Sequence, residues 1–148
     1  MTLQQQLSAA IEIATKAHDG QTDKYGMPYI GHVLRVCYAG HTLQEKIVGA
    51  LHDVVEDTDW TLDALQKEGF PQEIIDGVDA MTKRDGEEYG AYLARVEQNP
   101  LAVRVKLNDL TDNMDIRRVK ELNDTTIANL RKYLRAYKQL TEKTSRLK

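Results

Sequence analysis

The run Ala50-Leu51-His52-Asp53-Val54-Val55-Glu56-Asp57-Thr58 sets one imidazole and three carboxylates among apolar residues that belong in a core. At roughly 100° per residue, His52, Asp53, Glu56 and Asp57 would share about 140° of one helix face. Negative charge at a helix C-terminus opposes the macrodipole, and neighbouring carboxylates repel one another. Partial burial of such groups costs several kcal/mol per ion unless a cation or hydrogen bonds compensate. One reading is a solvated, acidic last turn of an amphipathic helix. The other is a bound divalent cation, which would offset both penalties.

Upstream of that run, Thr42 and Glu45 have capping-box spacing, which predicts a helix from there through Ile47, Val48, Ala50 and Leu51 to about Glu56. Two further residues join the question. His32 follows the loop-like Pro28-Tyr29-Ile30-Gly31, and Asp109 ends the mainly apolar Val103-Arg104-Val105-Lys106-Leu107-Asn108. A lone histidine or aspartate is more often an ordinary core or surface residue than a ligand. Together with His52 and Asp53, however, they make two imidazoles and two carboxylates, a set suited to a borderline divalent metal with open coordination positions. A closed structural zinc site would favour cysteines.

Helical periodicity recurs over the rest of the chain, and β-branched alternation is scarce, so an all-α fold is expected. Leu3, Leu7, Ala10, Ile11, Ala14 and Ala17 mark a first helix, ended by the polar stretch 19–26 with Gly20, Gly26 and Pro28. A short helix carries His32, Leu34, Val36 and Cys37. Later helices are expected over 61–67, 71–81, 87–97, 101–116 and 125–144, broken at Gly69, Asp85-Gly86 and Asn99-Pro100. Arg146 and Lys148 read as a solvated basic tail.

The length of 148 residues fits one domain spanning 1–148. A net charge of -3 argues against a nucleic-acid-binding surface. It does not exclude a phosphorylated substrate, because a dication and local lysines make a positive pocket. Cys37 is the only cysteine, which fits a reducing compartment. The N-terminus lacks the basic segment and apolar run of a signal peptide, and no stretch approaches the ~20 apolar residues of a membrane span. A cytoplasmic protein without membrane or nucleic-acid partners is the expectation; its oligomeric state has no sequence signal.

Several words of the sequence resemble the HD superfamily, and more narrowly the small alarmone hydrolases related to the hydrolase domain of RelA/SpoT proteins. They are Ala17-His18 with Gly20-Gln21, Lys24 through His32, Ala50 through Thr58, Thr82-Lys83, Val105 through Asp109, and Asn113-Met114. The match runs in the family's order from about residue 7 to 118. It implies an HD-type helical bundle holding one divalent ion, usually manganese, through His32, His52, Asp53 and Asp109. It implies removal of the 3′-pyrophosphate from guanosine tetra- or pentaphosphate, the alarmones of the stringent response. Glu56 and Asp57 match the positions that handle the attacking water and its proton, and Lys24 and Asn113 match positions that contact substrate. The short length implies a hydrolase without a synthetase domain.

The chain departs from that pattern at three places. The family's Arg-Lys before the loop glycine is Asp23-Lys24, and its proline after the first metal histidine is Val33. Its KLADRLHNM becomes Lys106 through Met114 with an arginine and a histidine lost and Asp112 gained. An acidic side chain cannot supply guanidinium stacking, so weakened guanine contact is expected, with Asp23→Arg strengthening it. That departure favours, as an alternative, another phosphorylated nucleotide such as an adenosine alarmone or NADPH. A non-catalytic nucleotide sensor is a second alternative, disfavoured because a sensor has no need of Glu56 and Asp57 beside a full ligand set.

Among the remaining residues, Lys24, Lys83 and Lys106 are candidates for neutralising phosphates, with solvated surface roles as the competing reading. His18 is expected to support the site or pack, and Cys37 to lie in the core. Tyr25, Tyr29 and Trp60 are candidates for lining a nucleotide pocket, although aromatics near helix ends more often serve packing, and Arg131 and Tyr133 on the last helix are candidates that their spacing does not demand.

Overall fold

In the computed structural model residues 1–146 are described, with side chains to 142. The expected basic tail, the Arg146 side chain and Lys148, therefore lies outside the described residues. The chain is all-α: α1 (Leu3–Ala17), α2 (Tyr29–Ala39), α3 (Leu43–Leu51), α4 (Val54–Asp57), α5 (Leu62–Lys67), α6 (Gln72–Met81), α7 (Tyr89–Glu97), α8 (Pro100–Asn113), a 3₁₀ turn (Ile116–Arg118) and α9 (Asp124–Arg146). Among the described residues there is no strand, only an isolated antiparallel bridge between Thr22 and Pro28 that closes the loop before α2. No described helix is long and apolar enough to cross a membrane.

Helix α3 is the axis of the bundle, packed against α1, α2, α6 and α8. Its residues Ile47, Val48, Gly49, Ala50 and Leu51 are all buried. Each large apolar side chain so buried contributes about 1.5–3 kcal/mol. Gly49 decides how closely α2 approaches, since a Cβ there would stand 2.9 Å from the Cα of Cys37. The close α2–α3 crossing brings the start of α2, with His32, alongside the end of α3, with His52.

The start of α3 departs slightly from a full capping box. The Thr42 hydroxyl accepts from the Glu45 amide at 3.1 Å, but the Glu45 carboxylate reaches back to the amide of His41 at 3.3 Å. The larger correction is at the other end. The helix expected to run to Glu56 stops at Leu51, and a separate turn, α4, begins at Val54. His52 Nδ1 donates to the Gly49 carbonyl at 2.6 Å, and Asp53 takes φ −107°, ψ −1°, between the helical and extended regions. The single face expected for His52, Asp53, Glu56 and Asp57 is thus two faces of two short turns.

Helix α8 also ends earlier than the expected residue 116. Asn99 caps its start, accepting from the Ala102 amide at 3.0 Å, with Pro100 as first residue. It stops at Asn113, and the Asp115 carboxylate then accepts from the Arg117 amide at 3.1 Å, opening the 3₁₀ turn. Helix α9 packs on α8 and α7, burying Ala136 and Leu140.

Candidate functional site: imidazoles and carboxylates at the end of α3

Three segments bring four side chains together. α2 supplies His32, the α3–α4 break supplies His52 and Asp53, and α8 supplies Asp109. His32, His52 and Asp109 are buried, and each offers one atom to a group lying within 4.8 Å of one another. Asp53 joins them: its Oδ2 is 2.9 Å from His52 Nε2 and 3.8 Å from His32 Nε2. Asp109 Oδ1 is 3.0 Å from His32 Nε2 and 3.6 Å from His52 Nε2.

The protonation pattern tests whether a cation fits. The Gly49 carbonyl can only accept, so His52 Nδ1 carries a proton, and in the neutral ring Nε2 is a lone pair. That Nε2 is buried and has no aligned hydrogen-bond partner, although two carboxylate oxygens are near. His32 is arranged alike: its Nδ1 lies 2.6 Å from Asp112 Oδ2, which leaves Nε2 toward Asp109. Two imidazole lone pairs and two carboxylates facing one point repel unless a positive charge sits between them. A divalent ion supplies it, and hydrogen bonding at the far ring nitrogen is the usual orientation of metal-bound histidine. The residues present fit a divalent ion.

Without the ion, a proton is drawn to the same place. Burial by itself lowers the pKa of His52, but the Asp53 and Asp109 carboxylates outweigh it and raise it well above the ordinary value. Burial likewise opposes ionisation of Asp109, yet Lys106 and the two imidazoles hold it well below the usual range. Lys106 Nζ is 2.9 Å from Asp109 Oδ2, and Asn113 Nδ2 donates to Asp109 Oδ1 at 3.1 Å. Tyr29 donates to Asp53 Oδ2 at 2.5 Å.

A cavity of about 320 Å³ opens beside this cluster. Glu56 and Asp57 stand on one wall. Glu56 Oε1 accepts from the Lys83 amide at 2.7 Å, and partial burial raises its carboxyl above the usual range despite that bond. Partial burial, then the Asp53 and Glu56 charges, push Asp57 up to about 6. The lining also includes Lys83, Lys106 and Lys132, with Tyr89, Tyr92 and Tyr133. A second lobe of about 280 Å³ shares Tyr29, Asn113 and Tyr133 and adds Lys24, Asp23 and Arg118. Lys24 Nζ donates to the Tyr133 hydroxyl at 3.1 Å.

The chain matches no family profile. It is 33% identical over 118 residues to a probable GTP pyrophosphokinase of Mycobacterium leprae, covering 71% of this chain and 15% of that protein. It is 32% identical over 122 residues to a guanosine-3′,5′-bis(diphosphate) 3′-pyrophosphohydrolase of Aquifex aeolicus, covering 74% and 17%. A protein of the same name from Haemophilus influenzae is 34% identical over 116 residues, covering 69% and 17%. The solved structure of a metazoan orthologue of SpoT that hydrolyses ppGpp superposes with a TM-score of 0.72 at 22% identity, over 93% of this chain and 84% of that one. The chain is an HD-type domain of RelA/SpoT descent. It spans about a sixth of the length of the curated relatives it matches.

Within this HD-type domain, several sequence expectations meet in one place. His32, His52, Asp53 and Asp109 converge; Glu56, Asp57, Lys83, Lys106 and Asn113 line the cavity beside them, and Lys24 lines the adjoining lobe. Tyr29 and Tyr133 line it, whereas Trp60 lies in a separate groove with Ala9 and Ile13, and Arg131 lines neither lobe. His18 is buried, with Nδ1 2.9 Å from Gln21 Oε1, and its ring packs on Tyr29 at 5.2 Å between centroids. Cys37 is buried.

One expectation about a charged residue needs revision. Asp23 does not stand free as an anion in the nucleotide lobe. Its Oδ1 accepts from the Tyr25 and Met27 amides at 2.9 Å each, and its Oδ2 faces Arg118 at 3.3 Å. Asp112, noted in the sequence only as a departure from the family pattern, holds His32 Nδ1. Its spacing of three residues from Asp109 on one helix was the available signal. Lys132 and Arg118 had none, because only the packing of α9 and the 3₁₀ turn brings them to the cavity.

Proposed function

We propose that this chain is a metal-dependent phosphohydrolase that removes the 3′-pyrophosphate from guanosine tetra- or pentaphosphate. The observation that carries the reading is the pair of histidines whose Nδ1 atoms are both engaged outward, leaving two Nε2 lone pairs facing two carboxylates. The named activity of the Aquifex aeolicus and Haemophilus influenzae relatives supports the substrate.

His32, His52, Asp53 and Asp109 would hold one divalent ion, with manganese the metal the resemblance favours. Such an ion, when bound, polarises a phosphoryl oxygen and makes a nearby water more acidic. Glu56 orients that water and takes its proton, and Asp57 helps move the proton onward. Both carboxyls are raised toward neutrality, which brings a general base close to the operating pH. Lys83, Lys106 and Lys132 neutralise the departing pyrophosphate, while Lys24, Asn113 and Tyr133 hold the nucleotide side. The phosphorylated nucleotide is then the partner of the site, in the cytoplasm where the lone thiol of Cys37 stays reduced.

The test is a panel of nucleotides incubated with manganese-loaded protein, with products resolved by chromatography. Release of pyrophosphate from guanosine tetraphosphate, abolished by chelator, is the expected result. Hydrolysis of only an adenosine alarmone or NADPH would move the substrate assignment. Binding without turnover of any compound would overturn the enzymatic reading.

A further inference from the structure

Beyond the four converging ligands, an unbroken line of ion pairs leads from His32 to the loop before α2. Asp112 Oδ2 receives His32 Nδ1 at 2.6 Å and Arg118 Nη1 at 2.6 Å, while Oδ1 receives Arg35 Nε at 2.7 Å. Arg118 extends its other nitrogen to Asp23 Oδ2 at 3.3 Å and lies 5.4 Å from the centre of the Tyr25 ring. Asp23 in turn gathers the Tyr25 and Met27 amides, so it is the hub of the turn that presents Lys24. Gly26 completes that turn at φ +81°, and its amide donates to the Asp23 carbonyl at 3.0 Å.

We propose that Arg118 is a positioning residue that couples the metal centre to the substrate loop, holding His32 through Asp112 and the 22–28 turn through Asp23. The inference rests on reading the histidine–carboxylate cluster as a metal site. Asp112 is gripped by two guanidinium groups as well as by the imidazole, so its position against His32 depends on both arginines. Arg35 touches only the Asp112 end of the line; Arg118 alone has a second hand on the loop. The side chains of Asp112, Asp23 and Arg118 are 10%, 7% and 21% exposed, so solvent and salt screen these pairs less than surface ones.

A cation on His32 Nε2 draws electron density from the ring and strengthens the bond from Nδ1 to Asp112. That firmer anchor fixes Arg118 and, through Asp23, the turn carrying Lys24. Linkage is reciprocal, so a ligand that orders the turn must tighten metal by the same factor. The 3₁₀ turn that holds Arg118 begins after Met114 and Asp115, a short step from the end of α8, which carries Asp109 and Asp112.

The experiment compares wild type, Arg118→Gln, Arg118→Lys and Arg117→Gln as full chains. Manganese affinity is read by calorimetric titration, and amide exchange over 22–28 by mass spectrometry with and without manganese. Arg117 is the control because its side chain pairs only with Asp115, at the surface. In wild type, manganese should slow exchange in the 22–28 turn. Arg118→Gln should abolish that metal-induced protection and weaken manganese binding about fivefold or more. Arg118→Lys should recover part of both, and Arg117→Gln should match wild type.

A purely structural Arg118 would instead give faster exchange in the turn at both metal concentrations, with the manganese-induced change intact, and that result overturns the coupling. Wild type that binds manganese with no change in the turn also overturns it, while leaving the metal site standing. Wild type that takes up no metal overturns both readings. Should Arg118→Gln fail to fold, Asp23→Asn breaks the same link from the loop side. It must then lose the metal-induced protection, and retention of it sinks the coupling.

Discussion

The hydroxyl of Tyr29 donates at 2.5 Å to Asp53 Oδ2, the same oxygen that lies 2.9 Å from His52 Nε2 and 3.8 Å from His32 Nε2. Tyr29 thus fixes which oxygen of Asp53 is turned toward the two imidazoles. Removing the hydroxyl leaves the ring against His18 and His32 but frees the carboxylate to rotate. Tyr29→Phe should therefore lower manganese affinity about 10- to 100-fold, the usual cost of losing a partner that orients a ligand. Calorimetric titration measures it, and an unchanged affinity would refute the role given to Tyr29.

Residues that hold the ion and residues that handle water should separate on mutation. His52→Ala and Asp109→Ala should lose bound metal and turnover together. Glu56→Gln should keep the metal, because Glu56 is outside the converging ligand group and its carboxylate accepts from the Lys83 amide. Its turnover should fall about 10²-fold or more, as for a lost general base. Metal analysis beside steady-state kinetics separates the two classes; a Glu56→Gln protein empty of metal would make Glu56 a ligand.

Asp57 gives a dependence on pH with a definite sign. Its pKa rises from the ordinary 3.8 to about 6 in the folded, metal-free protein. The folded state then holds that proton more tightly than the unfolded state does. Its contribution to folding is favourable at acid pH and is lost as pH rises through this window. Asp57→Asn should therefore raise the melting temperature of metal-free protein at pH 7.5, roughly one to two units above the window, and change it little at pH near 4. Thermal melts of both proteins across that range decide it. An equal shift at both pH values would mean that Asp57 carries no charge penalty.

Asp23→Arg tests the revised view of the loop. The substitution removes the acceptor of two backbone amides and sets a second guanidinium beside Arg118. The loop carrying Lys24 should loosen, raising KM for guanosine tetraphosphate with kcat less affected, since the loss is mainly in uniform substrate binding. A lower KM in Asp23→Arg would restore the expectation that this position wants a cation against the purine.

Much of the site was legible in the chain because ligand chemistry is local in sequence. His52-Asp53 with Glu56-Asp57 sets a density of charge among Leu51, Val54 and Val55 that reads either as a solvated acidic turn or as a cation site, and His32 with Asp109 favour the cation. Helix existence and most boundaries followed likewise from apolar spacing and from caps such as Thr42 and Asn99. The break between α3 and α4 was not visible, because it depends on His52 Nδ1 turning back to the Gly49 carbonyl. Periodicity has no means of registering a side chain that competes for a helix carbonyl.

By itself, then, the sequence determined an all-helical chain and singled out the histidines and carboxylates proposed to hold a divalent ion and to move a proton beside it. Tertiary structure alone decided their geometry. The close passage of α2 over Gly49 set His32 against His52, α8 delivered Asp109 with Asp112 behind it, and α9 brought Lys132 and Tyr133 to the cavity. It also decided the meaning of Asp23, whose charge is answered by Arg118, 95 residues away along the chain. Electrostatic pairing depends on distance in space and on exclusion of water, and neither quantity is written in the order of the residues.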